Sequence, residues 1–121
     1  MEILQNYFDA INESSDWAEL QPVFDAAFDS DLVIVTSEGE RNRQQWVEAV
    51  SALLADGTKT SDFEVTGREG DTVFYRVTLT KQDGTQFQAF SKGFLKDGKF
   101  VRVEPVDSGA YARMTGFFVQ P

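Results

Sequence analysis

Two Asp-Gly pairs, Asp83-Gly84 and Asp97-Gly98, each stand between runs of alternating apolar and polar residues. Asp-Gly supplies the positive φ angles of a tight hairpin, so each pair marks a strand folding back on its neighbour. With Glu69-Gly70-Asp71 as a third turn, they divide the second half of the chain into four predicted strands, near 59–68, 72–82, 85–96 and 99–106. A meander of this length has an apolar face that must be covered, and the first half of the chain reads as the cover.

That first half has the period of helices. Ile3, Leu4, Tyr7, Phe8 and Ile11 fall on one face of a segment from Glu2 to Glu13, which Ser14-Ser15 breaks. Asp16-Trp17-Ala18-Glu19 has capping-box spacing and opens a second helix that buries Trp17, Leu20, Val23, Phe24 and Phe28. Pro22 has no N–H to donate, so a kink or a restart is expected there. Leu32 to Val35 is β-branched and short, hence a strand, and Ser37 to Glu40 is a turn. Asn42-Arg43-Gln44-Gln45 caps a third helix, carrying Trp46, Val47, Val50, Leu53 and Leu54 on one face and ended by Gly57. The predicted fold class is α+β: three N-terminal helices packed in the concave face of a strongly curved antiparallel sheet.

Hairpin turns fix register, and register fixes faces. Two-residue turns at both Asp-Gly pairs would set Leu79 opposite Gln88, Val77 opposite Phe90, Tyr75 opposite Lys92 and Val73 opposite Phe94. Beyond the second turn, Phe94 would face Val101, Lys92 would face Val103 and Phe90 would face Pro105. The face holding these residues is the more apolar and is expected to meet the helices, joined by Phe63 and Val65. The other face, with Phe74, Arg76, Phe87, Ala89, Ser91, Gly93, Arg102 and Glu104, is expected to pair with a second copy of the chain.

Composition removes several chemistries. Among 121 residues there is no Cys and no His, which excludes a disulfide, a thiolate nucleophile, an imidazole base and any Cys- or His-ligated metal. Asp29 and Asp31 lack further oxygen ligands at a suitable spacing, so no metal and no other cofactor is expected. The net charge is -9, with twelve acids and two bases in residues 1–57 against eight acids and nine bases in 58–121. No basic cluster suits nucleic acid. No apolar run approaches a membrane span, and the opening residues lack a signal-peptide pattern, so a cytoplasmic protein is expected. The Asn12-Glu13-Ser14 sequon would then be chance.

The helix with Tyr7-Phe8, the Asp16-led helix, Phe28-Asp29-Ser30-Asp31 entering a strand, Gly39 before the Trp46 helix, and Gly93-Phe94-Leu95-Lys96-Asp97-Gly98-Lys99-Phe100 follow a known order. In this the chain resembles the nuclear transport factor 2-like superfamily, which includes SnoaL-like polyketide cyclases and ketosteroid isomerases. The resemblance implies a cystatin-like cone barrel over residues 1–107, with a pocket between helices and sheet and dimers formed through the sheet. Residues 108–121 extend beyond it, and their apolar Met114, Phe117, Phe118 and Val119 imply a segment packed on the barrel or a partner subunit. Of the isomerase site, Tyr7 matches the oxyanion-donating Tyr. The base position falls on or beside Thr36 and the strand acid falls on Phe90. The His-bearing sites of the family have no counterpart.

Candidate site residues follow. Lys92, inward by the register above, would anchor an anion or polarise a carbonyl, or else reach water at the rim. Tyr7 would donate to an oxyanion, with Lys92 as its catalytic companion. Trp17, Phe28, Trp46, Tyr75, Gln88, Phe90 and Val103 would bind the ligand, unless they are simply core. Three functions are weighed: a domain binding a small, largely apolar molecule; an isomerase, cyclase or dehydratase using Tyr7 and Lys92; and a protein-interaction module using the acidic helical surface.

Overall fold

The structure, a computed structural model, describes residues 2–36 and 39–106. The segment 108–121, expected to pack on the barrel or a partner, lies outside the described residues. Helix α1 (Glu2–Glu13) buries Leu4, Tyr7, Phe8 and Ile11. Helix α2 (Trp17–Ala27) begins at Asp16, whose carboxylate accepts from the Glu19 N–H at 3.1 Å, and it runs on through Pro22. Burial of Leu20 and Phe24 on either side of the proline offsets its lost hydrogen bond. Strand β1 (Phe28–Thr36) starts earlier than the β-branched run alone implies. Short β2 (Gly39–Asn42) leads into α3 (Arg43–Asp56). A reciprocal capping box between Asn42 and Gln45 opens α3, and Gly57, at φ +77°, closes it. The meander is β3 (Lys59–Glu69), β4 (Thr72–Thr80), β5 (Gln86–Lys96) and β6 (Lys99–Pro105).

The six strands form one sheet in the order β2-β1-β6-β5-β4-β3. The sheet is mixed: every neighbouring pair is antiparallel except β1 and β6, which run parallel. Bulges bend it. Strand β3 carries two extra residues against β4, one between Ser61 and Glu64 and one between Val65 and Gly67, and Asp62 adopts φ +55° at the first. Strand β6 carries one against β5, between Phe100 and Arg102. Each bulge adds local twist, and together they curve the sheet around the helices. The core between them holds Leu4, Leu20, Phe24, Val50, Val73 and Phe100, all at most 1 % exposed.

The register of the β4–β5 hairpin differs by one residue from that of a two-residue Asp-Gly turn. Lys81 and Thr85 close the turn, with the Lys81 N–H donating to the Thr85 carbonyl at 2.8 Å and the Gly84 N–H to the Lys81 carbonyl at 2.9 Å. The loop is therefore Gln82-Asp83-Gly84, in which Gly84 has φ +91° and Asp83 keeps a negative φ. This is the three-residue hairpin with a glycine in the left-handed position. At the second Asp-Gly pair both residues have positive φ, 53° and 82°, as a two-residue turn requires. There the expected register lasts for two pairs, until the β6 bulge shifts it.

A one-residue slip exchanges faces. Tyr75 pairs with Ser91, Val77 with Ala89, Leu79 with Phe87 and Val73 with Gly93, so Phe87, Ala89, Ser91 and Gly93 face the helices. Lys92 and Gln88 turn to the outer face, opposite Phe74 and Thr78. The bare backbone at Gly93 is covered by Phe100: a Cβ there would lie 2.5 Å from the Phe100 ring. Phe63 and Val65 do pack against the core, although the β3–β4 turn is two residues, Gly70-Asp71, because the bulge beyond Val65 restores their phase.

Candidate functional site

Ordinary strand residues on the inner face of β5 would fill the space beneath the helices. Ala89 and Ser91 do not, and a cavity of about 80 Å³ remains above them. Its floor is the run of pairs Tyr75–Ser91, Val77–Ala89 and Leu79–Phe87. Tyr7, Phe8 and Ile11 come from α1, Trp46 and Leu53 from α3, Phe28, Ile34 and Val35 from β1, and Val103 and Pro105 from β6. Past Ser91 at one end, Gly93 is covered by Phe100 and neither residue lines the space. At the other end stand Leu53, Leu79 and Phe87, a small apolar cluster separate from the main core.

Polar groups gather at one place on this wall. Helical spacing in α1 carries Tyr7 into the core, where its ring meets Phe28 edge-on at 4.9 Å and lies 5.0 Å from Phe8. The capping box at Asn42–Gln45 sets the start of α3 and so places Trp46 one residue later. An ion pair from Arg43 to Asp25, with the guanidinium 5.0 Å over the Phe24 ring, ties that end of α3 to α2. Burial pushes the Tyr7 phenol well above its usual range, the nearby Tyr75 pushes it the same way, and a hydrogen bond from Trp46 offsets part of the rise. Tyr75 is raised by burial too, partly offset by a hydrogen bond with Ser91. Both phenols therefore stay neutral through the physiological range and keep a proton to donate. Among the described residues lining the cavity, none carries a formal charge.

Of the residues singled out from sequence, Tyr7, Phe28, Trp46, Tyr75, Phe90 and Val103 line this cavity together. Three do not. Trp17 packs against the core at 5.0 Å from Phe24, away from the cavity. Gln88 is exposed on the outer face. Lys92, expected inside, stands on the outer face, where its Nζ lies 3.4 Å from Glu104 and 6.0 Å from the Phe94 ring. Glu104 also accepts from Arg102 Nε at 2.6 Å, and Arg102 reaches Glu40 at 2.9 Å. The Arg102 hydrogen bond holds the Glu104 carboxyl below its ordinary range; burial opposes it less strongly, and Lys92 adds a smaller pull in the same direction as Arg102. Ala89, Ser91, Phe87 and Leu53 were not among the expected site residues. The alternation Phe87, Ala89, Ser91, Gly93, one large residue followed by three small ones at period two, is the signal that could have found them.

Asp29 accepts from the Asp31 N–H at 2.9 Å, a local turn at the start of β1. Among the described residues no group of three or more acidic side chains could hold a metal ion, and no helix is long and apolar enough to cross a membrane.

No family model and no curated protein matches the sequence. Solved structures match its fold. An NTF2-like protein of unknown function from Exiguobacterium sp. 255-15 is 24% identical, with 88% of this chain and 98% of that chain covered at a TM-score of 0.63. IdmH from Streptomyces antibioticus, described as a candidate polyketide cyclase, is 14% identical over 98% of this chain and 97% of its own, at 0.62. A de novo designed NTF2 fold protein, NT-9, is 14% identical over 97% and 90%, at 0.64. The chain has the nuclear transport factor 2-like, cystatin-like α+β fold. A designed protein fits it as well as the natural ones do, so the likeness speaks for architecture and the function must be argued from the cavity.

Proposed function

We propose that this chain binds a small, neutral, largely apolar molecule in the cavity between its helices and its sheet. The observation that carries this reading is the cavity itself: apolar walls, no formal charge among the described lining residues, and a donor group at Tyr7, Trp46 and Tyr75. An apolar ligand gains from leaving water, and one carbonyl or hydroxyl oxygen on it can accept from a phenol proton in the wall. IdmH, with the same fold, is described as a candidate polyketide cyclase, which is consistent with a ligand carrying carbonyls. The lack of cysteine fits a reducing compartment such as the cytoplasm.

Isomerase, cyclase or dehydratase chemistry would have Tyr7 as its donor but not Lys92, which stands on the other face of the sheet. Turnover of a ketone by the wild-type chain, lost in Tyr7→Phe, would favour that alternative. The acidic helical surface remains available to a basic protein partner.

We propose too that two copies pair through the outer sheet face. Phe74 and Phe94 lie there among Arg76, Lys92 and Arg102, which are matched by Glu64, Glu104 and Glu40. On this face two chains of net charge -9 meet through charges already paired within each copy.

The binding reading is tested by filling the cavity. Ala89→Leu places a larger side chain on its floor and is expected to remove binding of a small ketone such as 2-hexanone in calorimetry. Tyr7→Phe is expected to weaken it about ten-fold, the net worth of one hydrogen bond. If Ala89→Leu, shown to be folded by near-ultraviolet circular dichroism, binds as well as wild type, the cavity is not the site.

A further inference from the structure

The cavity has a direction. Its polar end is the Tyr75–Ser91 pair, beneath Tyr7 and Trp46. Strands place alternate residues on one face, so Val77–Ala89 and then Leu79–Phe87 continue along the same floor. From Tyr75 to Leu79 is four residues of strand, about 13 Å. Above it α3 runs the same way: Trp46 stands over the polar end and Leu53, seven residues and about 10 Å further along the helix, joins Leu79 and Phe87 at the other. Beyond the Tyr75–Ser91 pair every floor residue is apolar. Ala89 lies between the main core and the far cluster and packs against both, and its small side chain is what keeps the passage between them open.

We infer that the ligand is an unbranched aliphatic molecule with one neutral polar head, and that Phe87 sets the length of tail the cavity accepts. This rests on the binding reading above. The head, a ketone or an alcohol, meets the donors at Tyr7 and Tyr75. The tail lies along the β4–β5 floor over Ala89 and ends against the Phe87 ring. The floor at Ala89 is a single strand pair, Val77–Ala89, with Trp46 and Leu53 of α3 over its two ends, a passage that suits a straight chain better than a branched or fused-ring one. Among the described residues the far cluster of Leu53, Leu79 and Phe87 stands apart from the main core and lines the cavity at the end of the floor, where a tail would meet it.

The test is calorimetric titration of the whole chain with a homologous series of straight-chain methyl ketones, from 2-butanone upward. In wild type, affinity is expected to rise about four-fold per added methylene while the tail stays within the cavity, then to level and fall at a definite chain length. Phe87→Leu and Phe87→Ala should both move that limit to longer chains. Ala89→Val should move it to shorter ones, and because it adds only two methyl groups it provides a readout even if a Phe87 variant does not fold. Tyr7→Phe should weaken every member by the same factor and leave the limit where it was. An unchanged limit in the folded Phe87 and Ala89 variants, or a wild-type series with no limit, overturns the assignment of Phe87. If no member of the series binds wild type, the binding reading fails and this inference goes with it.

Discussion

Phe100 is wholly buried and its ring lies where a side chain on residue 93 would begin. Within a strand, glycine is ordinarily a weakness that alanine repairs. Here the sign reverses, because a Cβ at 2.5 Å from a ring that is itself held on all sides has nowhere to go. Gly93→Ala is expected to destabilise the fold by about 1–3 kcal/mol, measured by urea denaturation. The double variant Gly93→Ala with Phe100→Leu should recover part of that loss by removing the clash. A stability gain in the single variant would show that the ring moves freely. Asn12 illustrates the same dependence on a single neighbour. Its amide accepts from the Thr60 N–H at 2.6 Å and donates to the Thr60 carbonyl at 3.0 Å, serving the end of α1 as a partner strand would.

At the scale of the element, the β4–β5 hairpin decides what the cavity contains. Its three-residue turn places Ala89 and Ser91 inside and Lys92 outside. Burial of Phe87 with Leu79 and Leu53 holds this arrangement more strongly than the turn does, since a slip of β5 would expose Phe87 and bury a lysine. Deleting Gln82 leaves Asp-Gly between Lys81 and Thr85, a two-residue turn compatible with the observed pairs. The expected result is an unchanged register, with ligand binding retained and stability within about 1 kcal/mol of wild type. Loss of binding in a folded protein would instead show that the turn governs the strand. Much of the architecture was legible for physical reasons of this kind. Asn42–Gln45, Asp16–Glu19 and Gly57 are local signals, satisfied within a few residues, and they mark helix ends directly. The cavity was half legible: Tyr7, Trp46 and Tyr75 follow from period alone, whereas Phe87, Ala89 and Ser91 depend on whether one residue is inside or outside a turn. Asp-Gly fits both turn lengths, and what distinguishes them is structural: the Lys81–Thr85 hydrogen bond, the negative φ of Asp83 and the ladder beyond. The bulges in β3 and β6 were equally out of reach, because they answer to the curvature of the whole sheet.

For the molecule as a whole, charge and shape are divided between two surfaces. The helices and β1–β2 carry most of the acid, and the outer sheet face carries paired ions around Phe74 and Phe94. If that face joins two copies, sedimentation equilibrium should give a dimer for wild type and a weaker or absent dimer for Phe74→Asp or Phe94→Asp. Equal association in all three would place the interface elsewhere or remove it. Strand β3 has a further consequence. It forms one edge of the sheet and is 11 residues long, the kind of exposed rim on which open-ended polymers grow. Its two bulges, with Asp62 held at a positive φ in the first, break that rim into short stretches whose N–H and carbonyl groups fall out of step with any straight strand laid beside them. The distortion that curves the sheet around the cavity thus also keeps the open edge from becoming a template for fibrils.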